Sequence, residues 1–181
     1  MDKYNPWTLL SADTVYDNDW IRVTHHQVLN PAGRPGIYGT VSFKHRAVAV
    51  VPLAANGDTW LVGQYRFPLQ AFHWEVPMGG APAGESAEAC ALRELKEETG
   101  LTAGSLEAVC HLHTSNCITD EAAVAYIARD LVMGEAEPED TEQLSVKRLP
   151  FAEALAMAMD GRMTDAVSVA ALMKIRLLGI A

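Results

Sequence analysis

The stretch from Ser86 to Thr99 constrains this chain more than any other. It is rich in Ala, Leu, Glu, Arg and Lys, holds no proline and stops at Gly100, so it reads as one helix with a glycine cap. On that helix Glu94, Glu97 and Glu98 stand at i, i+3 and i+4 and share a face. Ala91, Leu92 and Leu95 occupy a face turned away from them, suited to a core. Three like charges so placed repel by roughly a few tenths of a kcal/mol per pair. Solvation absorbs that cost on an exposed helix, which is the plainer reading of a lone acidic face. A bound hard cation reverses it, because Mg2+ takes one or two carboxylates, waters and phosphate oxygens.

The rest of the chain supplies strands. Trp20 to Leu29 and Ile37 to Phe43 are β-prone and separated by a Pro/Gly-rich turn over 30–36, which predicts a small N-terminal antiparallel sheet. Ala47 to Val51 is a continuous apolar strand and Thr59 to Tyr65 another, with Asn56-Gly57-Asp58 between them as a hairpin signal. Phe72 to Val76, Ser105 to Thr114, Ala122 to Ala128 and Leu144 to Leu149 read as further strands. Two later helices are expected over Phe151 to Met159 and Asp165 to Leu178, the second with Thr164 as N-cap. Methionines at 156–163 and Met173 read as core filler. Hairpins together with three helices predict an α/β or α+β layered domain. The expected division is an N-terminal β subdomain over residues 1–45 and a main domain over 46–181.

Composition narrows the function. Among 181 residues, 23 acids against 14 Lys and Arg give a net charge of −9, a poor balance for gripping nucleic-acid phosphates. No apolar stretch approaches the ~20 residues of a membrane span, and the first seven residues lack the apolar run of a signal peptide. Cys90, Cys110 and Cys117 form an odd, sparse set, which reads as reduced thiols in the cytoplasm. His111 and His113 alternate along a strand near Cys117, but no second ligand pair has zinc spacing.

Around the helix runs a longer pattern: Gly79, five residues, Glu85, seven residues, then Arg93-Glu94-Leu95-Lys96-Glu97-Glu98-Thr99-Gly100-Leu101. It matches G-x5-E-x7-R-E-U-x-E-E-x-G-U, with U a bulky aliphatic, at every fixed position, and so resembles the box of the Nudix hydrolases. The resemblance implies the Nudix fold, a mixed β-sheet sandwiched between helices. It implies a loop–helix–loop in which Glu94 and Glu98 bind Mg2+, with Mn2+ as substitute, and Glu97 is a further ligand or a base. Glu85 and Arg93 would brace the motif as an ion pair, and Gly79 would let the backbone pass close to the metal.

The flanks resemble the ADP-ribose and nucleoside diphosphate sugar pyrophosphatases. Glu75-Val76-Pro77-Met78-Gly79 is similar to their E-L-P-A-G, where the residue matching Met78 offers its backbone carbonyl to a metal. Gln64-Tyr65-Arg66 resembles their Q-Y-R, whose arginine grips the diphosphate. The acidic segment ending Asp140-Thr141-Glu142 is similar to a late loop that adds a carboxylate, here Glu142, the first choice for general base ahead of Glu97. Asp160-Gly161-Arg162-Met163, followed by Ala166 to Leu172, matches their closing helix pair. One departure stands out: a Ser-Pro-Gly segment of ADP-ribose-cleaving members is matched here by Ser115-Asn116-Cys117, so the resemblance leaves other nucleotide sugars open as substrates. Trp20 and Tyr16 are expected either to stack on a base in a subfamily-like homodimer or to be buried. The implied enzyme cleaves a nucleotide sugar to a nucleoside monophosphate and a sugar phosphate. The alternatives are a hydrolase of free nucleoside triphosphates or dinucleoside polyphosphates, and a sensor that binds a nucleotide sugar without cleaving it.

Overall fold

The computed structural model describes residues 4–136 and 143–181. Within these residues, ten strands and three α-helices follow one another as β1 (Thr8–Asp17), β2 (Ile21–Leu29), β3 (Pro35–Phe43), β4 (Arg46–Pro52), β5 (Asp58–Arg66), β6 (Ala71–Glu75), β7 (Met78–Ala81), α1 (Ala87–Thr99), β8 (Leu101–His113), β9 (Ala122–Met133), β10 (Ser145–Pro150), α2 (Phe151–Asp160) and α3 (Ala166–Leu177). The chain divides into two compact units.

The first unit is the antiparallel sheet β1-β2-β3 together with His113–Glu121. That later segment lies along the edge of β3. Val41 N donates to Ile118 O at 2.9 Å, Phe43 N donates to the Asp120 carboxylate at 2.9 Å, and the Tyr38 hydroxyl donates to Cys117 O at 2.6 Å. The sequence does not associate this segment with the sheet. It also misses β1, and the reason is visible: every residue of β1 is exposed, so no alternation of burial marks it as a strand.

The second unit, Arg46–Leu112 with Ala122–Ala181, holds the layered core. β4 lies between β7, antiparallel, and β9, parallel. Side chains alternate across this sheet. Ala49, Val51, Ala123, Ala125 and Ile127 pack with Phe151, Met157, Leu172 and Ile175 of α2 and α3. Val48, Val50, Val124 and Tyr126 pack with Cys90, Ala91 and Leu95 of α1. The mixed sheet is therefore covered by helices on both faces, which is why its central strands are apolar without interruption.

Several expectations change. The turn at Asn56-Gly57 forms, with Gly57 at φ +85° and its N–H on Ala54 O, but β4 and β5 do not make a hairpin ladder. Just past β4, Leu53 pairs with Thr59 in an isolated bridge and Ala54 N donates to Asp58 O at 2.9 Å, and β5 then joins β6 and β10 in a separate sheet. Asp165, not Thr164, caps α3, because its Oδ1 accepts from Ser168 N at 2.7 Å. Thr164 instead lies 3.3 Å from His73 Nδ1. Met157 and Met163 are core filler as expected, whereas Met159 and Met173 are exposed. Leu92 is 40% exposed and faces away from the core, while Glu94 and Glu98 are 8% and 1% exposed. Glu94 and Glu98 are thus turned inward together with Ala91 and Leu95, and Leu92 is not.

Candidate active site

Local signals set α1 in place. Ser86 caps it, its hydroxyl accepting from Ala89 N at 3.1 Å, and Gly100 ends it in the left-handed region at φ +73°. The Tyr126 hydroxyl, buried on β9, donates to Glu88 Oε1 at 3.0 Å and ties the first turn to the sheet. Burial pushes that phenol up to about 12.

Arg93 is the hub of the motif. Its Nε and Nη2 fork onto Glu85 at 2.9 and 3.0 Å, and its Nη1 donates to Glu94 Oε1 at 2.7 Å and Glu97 Oε2 at 2.8 Å. Nη2 also reaches Gly80 O at 3.5 Å and Cys90 Sγ at 3.4 Å. The three carboxylates around this guanidinium hold it still more firmly protonated than usual, the Glu85 bond first. The same bond holds the Glu85 carboxyl below the ordinary carboxylate range. Burial, then the Glu94 charge, pushes the Cys90 thiol up to about 12. The sequence marks Cys90 only as a reduced thiol; its contact with Arg93 follows from its place one turn earlier on the helix.

Glu98 is held from the other side, its Oε2 accepting from Met78 N at 2.9 Å. Pro77 O accepts from Val50 N at 2.9 Å, and Val76 N donates to the buried Ser168 hydroxyl of α3 at 3.0 Å. Residues 75–78 are thus fastened to β4, α1 and α3 together. Upstream, the buried Glu75 is gripped by Arg66, whose Nε donates to Oε1 at 2.7 Å and whose Nη2 donates to Oε2.

Gly79 is explained by contact. A Cβ built there would lie 1.9 Å from Glu94 Oε1 and 2.1 Å from Glu94 Cδ. The missing side chain leaves room for the Glu94 carboxylate itself, a more direct reason than passage of the backbone near a metal.

This donor set fits a hard divalent ion. Glu94 and Glu98 bring carboxylate oxygens from adjacent turns of one helix to a strip of backbone, and Glu97 stands beside them. Among the described residues no group of three or more His, Cys, Asp and Glu forms a ready cage. An ion such as Mg2+ does not require one, since it keeps waters and takes phosphate oxygens from its substrate.

The structure therefore gathers Gly79, Glu85, Arg93, Glu94, Glu97, Glu98 and Met78 around the two ends and inner face of α1, with Arg66 joined through Glu75. Glu142 lies outside the described residues. Trp20 and Tyr16 belong to the first unit and are 65% and 53% exposed, so burial does not account for them. Among the described residues His111, His113 and Cys117 form no metal cluster, and no helix is long and apolar enough to cross a membrane.

Comparison with known proteins follows the same outline. Residues 43–171 match the NUDIX domain, and residues 7–41 match the nucleoside diphosphate sugar hydrolase N-terminal domain. The chain is 30% identical to an ADP-ribose pyrophosphatase of Mycobacterium tuberculosis over 171 residues, 92% of this chain and 81% of that one. It is 33% identical to an ADP-ribose pyrophosphatase of Bacillus subtilis over 133 residues, 72% of each chain. It is 32% identical to an ADP-sugar pyrophosphatase of Mus musculus over 156 residues, 77% of this chain and 72% of that one. Among solved structures, an ADP compounds hydrolase superposes with a TM-score of 0.85 at 25% identity, covering 95% of this chain and 93% of that one.

Proposed function

Because the chain belongs to the Nudix family, we propose that it is a hydrolase of nucleoside diphosphate sugars, ADP-ribose among them, that releases a nucleoside monophosphate and a sugar phosphate. The observation that carries this reading is the inward turn of Glu94 and Glu98, two carboxylates of one helix buried against Gly79 and the Met78 amide. A solvated acidic face has no reason to be buried.

Mg2+, with Mn2+ as substitute, is the ion these oxygens suit, held by Glu94 and Glu98 with Glu97, the Met78 carbonyl and Glu142 as further ligands. Bound there, the ion neutralises the diphosphate and adds Lewis acidity. The chain's own groups do the rest. Arg66 orients the diphosphate through charge-assisted bonds. Arg93 holds Glu94 and Glu97 in place, with Glu85 fixing Arg93 in turn. A water oxygen bonds to one phosphorus, the P–O–P bridge breaks on that side, and the water's proton passes to the base. Glu97 already has Oε2 engaged by Arg93, so Glu142 is the first choice for base and Glu97 the second.

Trp20 and Tyr16, both exposed aromatics, are proposed to stack on the base, and the N-terminal sheet to pair with a second copy in a homodimer. The wholly exposed β1, bearing Leu9, Leu10 and Val15, supports that pairing. A reducing, cytoplasmic setting suits three free cysteines.

The test is turnover of a panel of nucleoside diphosphate sugars plus ADP-ribose, with Mg2+ and with Mn2+, followed by detection of phosphate-bearing products. Glu98→Gln keeps an acceptor for the Met78 amide, so it should fold and lose about a hundredfold or more in turnover. Binding without turnover in the parent protein would mark a sensor. A preference for free triphosphates would favour the other hydrolase class.

A further inference from the structure

We propose that Glu75 is a positioning residue for this reaction: its buried carboxylate sets the Arg66 guanidinium for the diphosphate, and the strip from Glu75 to Met78 keeps that guanidinium in register with Glu98. The inference rests on the reading of Arg66 as the phosphate-gripping residue and deepens it.

Glu75 is 2% exposed, a depth at which a carboxylate requires a partner. Arg66 is that partner through a two-pronged fork. The ladder pairs Glu75 with Val62 and Arg66 with Ala71, so the Arg66 side chain runs back along the sheet to reach its acid. The fork uses Nε and Nη2, and the Nη1 group stands outside it. Arg66 itself is only half-buried, so one end of the pair is sealed in protein and the other meets solvent. The Glu75 bond holds the guanidinium more firmly protonated than usual, and the charges of Asp165 and Glu98 act in the same sense.

The link to Glu98 is short. Three residues after Glu75, the Met78 amide donates to Glu98 Oε2. Between them, Val76 is fastened to Ser168 of α3 and Pro77 to Val50 of β4. The strip can neither slide nor rotate without breaking one of these bonds. A carboxylate that holds the phosphate arginine and an amide that holds a helix acid thus sit on one rigid piece of chain. Ser168, on a helix that carries none of the box, belongs to the same device.

A merely structural ion pair predicts a different pattern of loss, and kinetics separates the two. ADP-ribose hydrolysis is followed for Glu75→Gln, Glu75→Asp, Arg66→Ala and the Glu75→Gln/Arg66→Ala double variant, with thermal melts alongside. ADP, which keeps the diphosphate and lacks the terminal sugar, is titrated calorimetrically as a second readout. Arg66→Ala and Glu75→Gln should each raise KM and the ADP Kd about tenfold with kcat within about twofold, and the double variant should be no worse than Arg66→Ala. Glu75→Asp keeps the charge and retracts it by one methylene, so it should raise both constants about threefold even if the Gln variant does not fold. Glu75 variants that lower the melting temperature but leave KM and the ADP Kd at parent values overturn the positioning role while the Arg66 reading stands. If Arg66→Ala itself changes neither constant, that reading falls, and the positioning role falls with it.

Discussion

The carboxylate of Glu94 sits in the space that any side chain on residue 79 would need, with Oε1 only 1.9 Å from the place of a Cβ. The first position of the motif and its middle are therefore one packed feature. Gly79 is not among the glycines at positive φ, so alanine suits its backbone and the clash falls on the far end of a flexible side chain.

Gly79→Ala should therefore fold. Its melting temperature should stay within about 3 °C of the parent, while Mn2+ affinity and turnover fall about tenfold to a hundredfold as Glu94 is displaced. Calorimetric Mn2+ titration beside a melt checks this. Unchanged metal affinity would show that Glu94 is not a ligand.

Arg93→Ala should act on stability as well as activity. It leaves Glu85, Glu94 and Glu97 facing one another with their shared cation removed. A loss of about 2 kcal/mol is expected for a half-buried pair of this kind, or about 6 °C in melting temperature. Arg93→Lys should recover little, because an ammonium cannot fork onto Glu85 while reaching two other acids. Differential scanning calorimetry on both variants reads this directly.

The acid limb of stability follows from Glu85. Arg93 holds its folded-state pKa below the unfolded value. The unfolded chain takes up that proton first, near pH ~4.3. The contribution of Glu85 is thus full above that pH and drains away as pH falls through the lower folded-state value. Below about pH 5, the parent should lose melting temperature more steeply than Glu85→Gln. Parallel curves would mean that the fork adds nothing in solution.

Thiol chemistry tests the packing of α1 and β8. Cys90 and Cys110 are buried, and burial raises both thiols, Cys90 to about 12. Cys117 is exposed. An aromatic disulfide reagent near pH ~8 should label Cys117 alone in the native protein, and all three cysteines after denaturation.

How much of this could be read beforehand depended on where each instruction lies. Ser86, Gly100 and the apolar run of β4 act locally, and their elements stand as expected. The turn at Gly57 is local too, but the partners of β5 are β6 and β10, and no signal near residue 57 names them. β7 is short, half glycine, and a strand only because β4 pairs with it. The helix periodicity of α1 groups Glu94 with Glu97, which meet at Arg93, but it misplaces Leu92, which is exposed while Ala91 and Leu95 are buried. It could not tell which face would be covered, and it is the strip at Met78 and Gly79 that covers Glu98 and Glu94. Ser168 carries no signal of its own, since a buried serine gains meaning only from the Val76 amide it meets.

The hydrogen bond that Met78 gives to Glu98 comes from its peptide group. Which amino acid is encoded at position 78 is therefore nearly immaterial to that carboxylate, provided it fits a half-buried slot, and drift among such residues leaves the hold intact. Proline alone carries no amide hydrogen to give. Met78→Pro should thus disable turnover where Met78→Leu passes almost unnoticed, and that contrast, measured in one activity assay, would locate the anchor in the main chain.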